Sequence, residues 1–415
     1  MQKTKKVSKF LLIAVIVFSL TGCWDREEME DKSYVIGLGI DRSHHKGKIK
    51  VTMLLANPEV GSQQGGGGST EKPREIVSFD ANDIIAAKVT ANSVVSRIIS
   101  YDLLKIIVVS EEFAKDPKFY NILNDVVFDK EIRMNAYLAV SKEKAAEYFL
   151  KNKPKMETRP HKYFQYMIDH GIENGLIPDS TLFRFFKTTD RGSDLFLAMN
   201  TSAVREKHPK FKGEDEYFAG QLNASGEFDD TQFIGSAVFR NGVMIGKLTG
   251  QETSMVNILD DTTNMSDFFL DIPNPFPGER KSFAVRVIKK ENNKIKMDLK
   301  GSRPKIFITI PVKFELMSNP SRIDFTKKKN QEVIKRKIAS HFKTEFEKFL
   351  KKTQKELKGA PYPLSFYARR YFGTNPEFEK FNWPKSYLKA EISVNPDVEV
   401  IDFGKRQKKN LKVEK

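Results

Sequence analysis

The sequence predicts an α+β protein of two to three domains, a multi-lobed arrangement of mixed sheets packed by helices, with a long C-terminal amphipathic helix. Three observations predict it. Residues 33–150 alternate short apolar runs with stretches of helical period, as in a mixed α/β unit. Residues 231–404 open with strand-like runs and close on a long helical stripe, as in an α+β unit. The chain has 415 residues, 40% of them apolar, with thirty-two phenylalanines, enough for more than one core.

The chain opens with four lysines (Lys3, Lys5, Lys6, Lys9) before an apolar run of eleven residues, Phe10 to Leu20. A positive start, a short apolar run and small residues make an export signal, residues 1–22. The run is shorter than the ~20 residues a spanning helix needs. Leu20-Thr21-Gly22-Cys23 has the form of a bacterial lipobox, with cleavage between Gly22 and Cys23 and acylation of the Cys23 thiol. The rival is an uncleaved signal anchor with an idle cysteine; spacing, small residues and cysteine placement together favour the lipobox. A diacylglyceryl thioether supplies the two chains that stable anchoring takes. Cys23 is the only cysteine, so a lipidated protein has no disulfide and no thiolate metal ligand. No later segment is long and apolar enough to span a membrane, so the body is expected to be soluble and tethered outside.

The N-terminal α/β domain is expected over 23–204. Ser33–Asp41 reads as a strand with Tyr34, Ile36, Leu38 and Ile40 on one face, and Ile49–Ala56 as its hairpin partner across a turn at Arg42–Lys48. Gly61–Thr70 is a flexible loop without the Gly-Lys-Ser/Thr ending of a phosphate loop. Arg74–Phe79 is the returning strand. Asp80 or Asn82 caps a helix running to about Ser100, striped by Ile84, Ala87, Ala91, Val94/Val95 and Ile98. Leu103–Ser110 is apolar on both faces, as in a buried strand. Glu111–Asn124 is helical or turn-rich, Asn135–Val140 a strand, Ser141–Leu150 a helix. Thr158–Gly175 and Asp179–Phe186 are further helices.

Arg205–Asp230 is polar and is taken as a boundary region (205–230) before a C-terminal α+β domain at 231–404, which could hold two lobes. Phe233–Thr249 is a hairpin, since Asn241-Gly242 supplies the two positive φ angles of a type I′ turn. Thr253–Leu259 is a short helix. Ser282–Lys289 and Lys294–Leu299 read as a second hairpin turning at Asn292-Asn293. Ile306–Met317 is a strand interrupted by Pro311. Asn330 caps the longest helix, striped by Ile334, Ile338, Phe342, Phe346, Phe349/Leu350 and Leu357 and ended by Gly359 and Pro361. Pro363–Phe372 is a shorter helix and Glu391–Phe403 a last strand broken at Pro396. A basic disordered tail, 405–415, follows.

The net charge of +16 is local. Residues 327–358 carry twelve basic and four acidic side chains, and 405–415 six basic and one acidic. Nucleic acid is a poor partner for an exported protein. A solvated helix face is the plain explanation; an anionic membrane surface or an acidic partner is the functional one.

Catalytic constellations are not found. There is no Gly-x-Ser-x-Gly elbow and no His-Glu-x-x-His. His44-His45 lies on a turn with no third ligand in view, and His161 and His170 are not spaced for one helix face. Asp229-Asp230 and Asp260-Asp261 read as caps or solvated turns rather than cation sites. Gly37-x-Gly39 lacks the third glycine and following helix of a dinucleotide fingerprint, so both read as structural strand glycines. No catalytic residue, metal or cofactor is expected.

The run Leu-Thr-Gly-Cys-Trp-Asp-Arg-Glu-Glu-Met-Glu, followed by Tyr-Val-Ile-Gly-Leu-Gly-Ile-Asp41, resembles the opening of the spore germinant-receptor C-subunit lipoproteins, the Ger(x)C family. The hairpin from Gly235 to Thr249 is similar to that family's central hairpin. The long basic helix, Tyr367-Ala-Arg-Arg-Tyr, Trp383 and the closing strand before Gly404 are similar to its C-terminal end. The chain departs from the family at Pro361–Ser365, where an acidic residue and glycine are common, and at Gly373–Asn375, where a proline is usual. The resemblance implies a non-enzymatic, lipid-anchored subunit of a nutrient germinant receptor on the outer face of the spore inner membrane. It also implies two integral membrane subunits, A-type and B-type, as partners. The alternative is a solute-binding lipoprotein of a transporter, disfavoured because residues 33–150 and 233–403 show no internal repeat; a surface hydrolase lacks any nucleophile.

Overall fold

Two sheets organise the chain in a computed structural model that describes residues 31–56, 74–207, 216–263, 265, 267–277 and 282–403. The lipobox and Cys23, the glycine-rich stretch 61–70 and the basic tail lie outside the described residues. The first sheet has nine strands. β1 (Lys32–Arg42), β2 (Ile49–Ala56) and β3 (Arg74–Ala81) form an antiparallel meander. β5 (Ile106–Ser110), β6 (Tyr137–Ser141) and β7 (Phe196–Ser202) continue from β1 in parallel, and β4 (Ile98–Ser100) pairs with the start of β1. β8 (Gln232–Arg240), antiparallel to β7, and β9 (Val243–Leu248), antiparallel to β8, complete it. Phe233–Thr249 is a hairpin as expected, with φ of 49° at Asn241 and 78° at Gly242. Through the pairing of β8 with β7 it extends the first sheet.

β7 itself is not visible as a strand in the sequence reading. Its seven residues are all buried, but Asn200, Thr201 and Ser202 interrupt the apolar pattern. Their polar groups are bonded internally, Thr201 Oγ1 to the Gln232 carbonyl at 2.9 Å and Asn200 Nδ2 to that of Ile234 at 3.3 Å.

Helices cover both faces of the first sheet. On one side lie α1 (Ile84–Ala91), α2 (Glu111–Ala114), α3 (Lys118–Asn124) with its 3-10 turn Asp125–Phe128, and α6 (Leu182–Arg191). On the other lie α4 (Ala145–Lys151) and α5 (Pro160–Glu173). Tyr34, Ile36, Leu38 and Ile40 do not share one face. A bulge between Val35 and Gly37 slips the pairing with β2, and such a slip turns every later side chain over. Ile36 therefore joins the α4 side, while Leu38 and Ile40 join the other core. The first helix is shorter than the apolar stripe suggested. Asp83 caps it, accepting from Ala86 N at 2.7 Å, and it stops at Ala91. Val94 and Ile98 are exposed beyond it. Ser141 belongs to β6, and the following helix starts at Ala145.

The second sheet has five strands: β10 (Asp267–Pro273), β11 (Ser282–Lys289), β12 (Lys294–Asp298), β13 (Lys305–Leu316) and β14 (Glu391–Asp402). β11 and β12 are strands but not each other's partners. Both run antiparallel to β13, β11 along 312–316 and β12 along 305–309. The expected turn at Asn292-Asn293 is a bulge in what is otherwise one long strand. Pro311 sits opposite this break. Its carbonyl accepts from Lys290 N at 3.1 Å, so its missing N–H faces the bulge and no ladder bond is lost. β14 is parallel to β13 and lies at an edge. Glu391 N donates to the Pro304 carbonyl at 2.8 Å, so odd-numbered amides face β13 and Pro396 faces the free edge.

α8 (Lys328–Lys355) lies across one face of this sheet. Its stripe from Ile334 to Leu350 is buried as expected, and Leu357 is buried just past its end. Lys327, not Asn330, occupies the cap; Asn330 Nδ2 instead donates to the Asp324 carbonyl at 2.8 Å. α9 (Leu364–Arg369), α10 (Asn375–Phe381) and α11 (Trp383–Lys389) follow. The last two, like β10, are absent from the sequence reading. α7 (Gly250–Leu259) joins the sheets, its start fixed by a Thr249–Glu252 capping box. Leu195, just before β7, and Leu197, Val238 and Leu248 of the first sheet share a single core with Ile306, Phe314, Phe342 and Trp383 of the second region. Among the described residues no helix is long and apolar enough to cross a membrane.

Candidate functional site

The Gly37-x-Gly39-x-Asp41 stretch is a packing and capping device. After the bulge, Gly37 and Gly39 face α4. A Cβ on Gly37 would stand 2.7 Å from Phe149 Cε1, and one on Gly39 3.0 Å from Ala145 Cβ. The missing side chains let α4 lie directly on the strand. Asp41, 1% exposed, then reaches the N-terminus of α4: Oδ1 accepts from Ala145 N at 2.8 Å and Oδ2 from Ala146 N at 3.1 Å. Those amides have no partner within the helix, and the helix dipole favours the negative charge there.

A cleft of about 580 Å³ runs along the seam between α6, the end of α7 and α9. Arg184 spans it. Its guanidinium meets Asp179 at 2.9 Å, Asp260 at 3.0 Å and the Thr262 carbonyl at 2.7 Å. Asp261 holds the opposite wall. It accepts from Lys289 Nζ at 2.7 Å, Asn293 N at 3.0 Å and Tyr367 OH at 2.6 Å. The β11–β12 bulge is thereby tied to α7 and α9. Asp194, just before β7, accepts from Ser365 N at 3.2 Å, Ser365 Oγ, and Trp383 Nε1 at 3.3 Å. Its burial pushes the carboxyl up to about 7 against the pull of those donors. The cleft's carboxylates are thus spent on joining elements. Lys187, Arg191 and Arg370 line its rim, Arg370 stacked over Phe366 and Tyr367 at 4.8 and 5.1 Å.

The acidic pairs bind protein groups. Asp260 and Asp261 have the partners above. Asp229 accepts from Asn152 Nδ2 at 3.0 Å, Lys153 N at 2.9 Å and Tyr163 OH at 2.9 Å, and Asp230 pairs with Arg205. Residues on either side of 208–215 are likewise stitched to the first sheet, Gln232 Oε1 accepting from Gly220 N at 2.8 Å. His44 and His45 are exposed on their turn; His161 and His170 stand nine residues apart on α5, and burial lowers the His161 pKa. The basic α8 is partly neutralised, by Lys348–Glu345 at 2.7 Å and Lys352–Glu252 at 2.6 Å. Cys23 lies outside the described residues. Arg184 and Asp194 were not singled out from sequence, and Asp261 only as half of a doublet read as a cap or solvated turn. Only the Asp260-Asp261 doublet signalled any of them, since their partners come from distant elements.

Comparison with known proteins agrees with this architecture. A family model described as the spore germination protein N-terminal domain matches residues 25–201, and one described as spore germination B3/GerAC-like, C-terminal, matches 234–404. Spore germination protein B3 of Bacillus subtilis is 23% identical over 411 residues, covering 96% of this chain and 99% of that protein. Spore germination protein KC of the same organism is 31% identical over 143 residues, 34% of each chain. The crystal structure of the GerBC protein superposes with a TM-score of 0.51 at 17% identity, over 91% of this chain and 100% of that one. With both halves matched in order, the chain belongs to the spore germination B3/GerAC-like family, the Ger(x)C family of germinant-receptor C subunits.

Proposed function

We propose that this chain, whose family gives it a role in spore germination, is the lipid-anchored, non-enzymatic subunit of a nutrient germinant receptor in the spore inner membrane. The supporting observation is the pair of family matches spanning both sheets, 25–201 and 234–404. Cys23 carries the lipid, and the A-type and B-type integral membrane subunits are the partners. The body works through protein contacts: the polar groups of its seam join α6, α7 and α9 instead of presenting a reactive set. A solute-binding lipoprotein usually has two similar lobes, whereas here a nine-stranded sheet with a parallel centre meets a five-stranded one of different order. Deletion of the gene is expected to abolish nutrient-triggered germination while germination by non-nutrient agents persists. A deletion strain that responds normally to nutrients, with no related subunit substituting, would overturn the proposal. Cys23→Ala is expected to move the folded protein from the membrane to the soluble fraction; unchanged fractionation would refute the anchor.

A further inference from the structure

We propose that an apolar apron around the start of β1 rests on the surface of an anionic phospholipid bilayer and fixes how the body stands on the membrane. The inference rests on acylation of Cys23. Seven residues, 24–30, separate Cys23 from Asp31, the first described residue, which is eight Cα steps away. However they are arranged, they span no more than ~28 Å. The start of β1 is thus held close to the lipid surface.

The surface around that point is apolar. Val89, Val94, Ile98, Leu103, Val127 and Phe128 are each between 44% and 73% exposed. Among the described residues, six of the twenty exposed large apolar side chains therefore fall within forty residues of sequence, and the fold gathers them. Ile98 pairs with Lys32 at the first rung of β1. Leu103 adjoins Asp102, whose carboxylate meets Lys32 Nζ at 3.9 Å. The 3-10 turn bearing Val127 and Phe128 packs beside α1, where Lys88 reaches Glu131 at 2.6 Å and lies over Tyr101 at 5.3 Å. Exposed apolar clusters of this kind mark interaction sites.

The short tether from Cys23 selects the occupant, and charge permits it. Asp129 and Glu131 share Lys88, Asp102 meets Lys32, and Asp125 is half-buried on the turn. Lys130 and Arg133 stand exposed beside the apron. Apolar side chains flanked by the exposed Lys130 and Arg133 fit the boundary between acyl chains and anionic headgroups. The basic helix α8 lacks this combination, because its apolar stripe is buried in the second core.

The test uses the mature chain from Cys23, coupled through its only thiol to a maleimide lipid in phosphatidylcholine–phosphatidylglycerol vesicles. Amide hydrogen exchange should slow over 89–104 and 125–133 relative to the free chain, and stay unchanged over β12–β13. Ile98→Asp with Phe128→Asp, both at exposed positions, should remove that protection and lower vesicle retention of the uncoupled chain at least tenfold. Equal exchange on and off vesicles, or slowing confined to 328–355, overturns the proposal. So does protection that appears only when the two integral subunits are present, which would assign the apron to protein contact. Chemical coupling makes these outcomes independent of cellular acylation, which Cys23→Ala fractionation tests separately.

Discussion

Gly37→Ala should destabilise the first sheet through one identifiable collision. The new Cβ would lie 2.7 and 2.8 Å from Cε1 and Cζ of Phe149, closer than van der Waals contact allows. Phe149 cannot step aside, because Tyr148 and Phe164 pack edge-on against it at 5.4 and 6.4 Å and all three rings are fully buried. Overpacking of this kind costs ~1–3 kcal/mol. Phe149→Leu removes the two colliding atoms and should itself cost ~1–2 kcal/mol. In that background the alanine should cost under ~0.5 kcal/mol, a coupling of at least ~0.5 kcal/mol. Urea unfolding of residues 24–415, followed by far-ultraviolet circular dichroism, measures all four corners of the cycle. An alanine penalty that is the same in both backgrounds, or absent in both, would refute the close approach of α4 to β1 as the reason for glycine.

Asp41→Ala should cost ~2–3 kcal/mol, from two amides left bare at a buried helix start, and Asp41→Asn should recover part of it; equal unfolding midpoints for wild type and Asp41→Ala would count against the cap. Asp194 gives a pH dependence. Its folded value of about 7 exceeds the ordinary ~3.9, so the folded state holds the proton more tightly. Its contribution is complete below about pH 4 and is lost as pH rises through about 7, by up to ~4 kcal/mol. Asp194→Asn should flatten this part of the stability–pH curve, and an unchanged slope would show that the carboxyl titrates elsewhere.

Much of the fold was legible because local patterns carry it. β2 matches its expected bounds residue for residue, and the α8 stripe and the Asn241-Gly242 turn are written in spacing alone. Partnership was less legible. The bulge in β1 hides inside a perfect alternation, since Val35 and Ile36 are both apolar and either face looks buried. The β11–β12 break reads as a turn because two asparagines favour one, yet Asn293 is buried and its Nδ2 donates to the Ile258 carbonyl at 2.8 Å. α10 and α11 are seven residues each, too short for a periodic signal, although the Thr374–Glu377 capping box was there to be read. The seam was invisible for a different reason: Asp194 and Trp383 meet across 189 residues, and no spacing rule reports such a pair.

The edge position of β14 bears on crowding. With Cys23 as the proposed tether, copies meet side by side at high local concentration, where an open strand edge invites a neighbour's strand. At the middle of that edge Pro396 removes a donor that a second chain would need. Glu391, Asp397, Glu399 and Asp402 would bring acid against acid if two copies aligned in register. The last strand is therefore built to finish its own sheet without seeding a polymer of neighbouring ones.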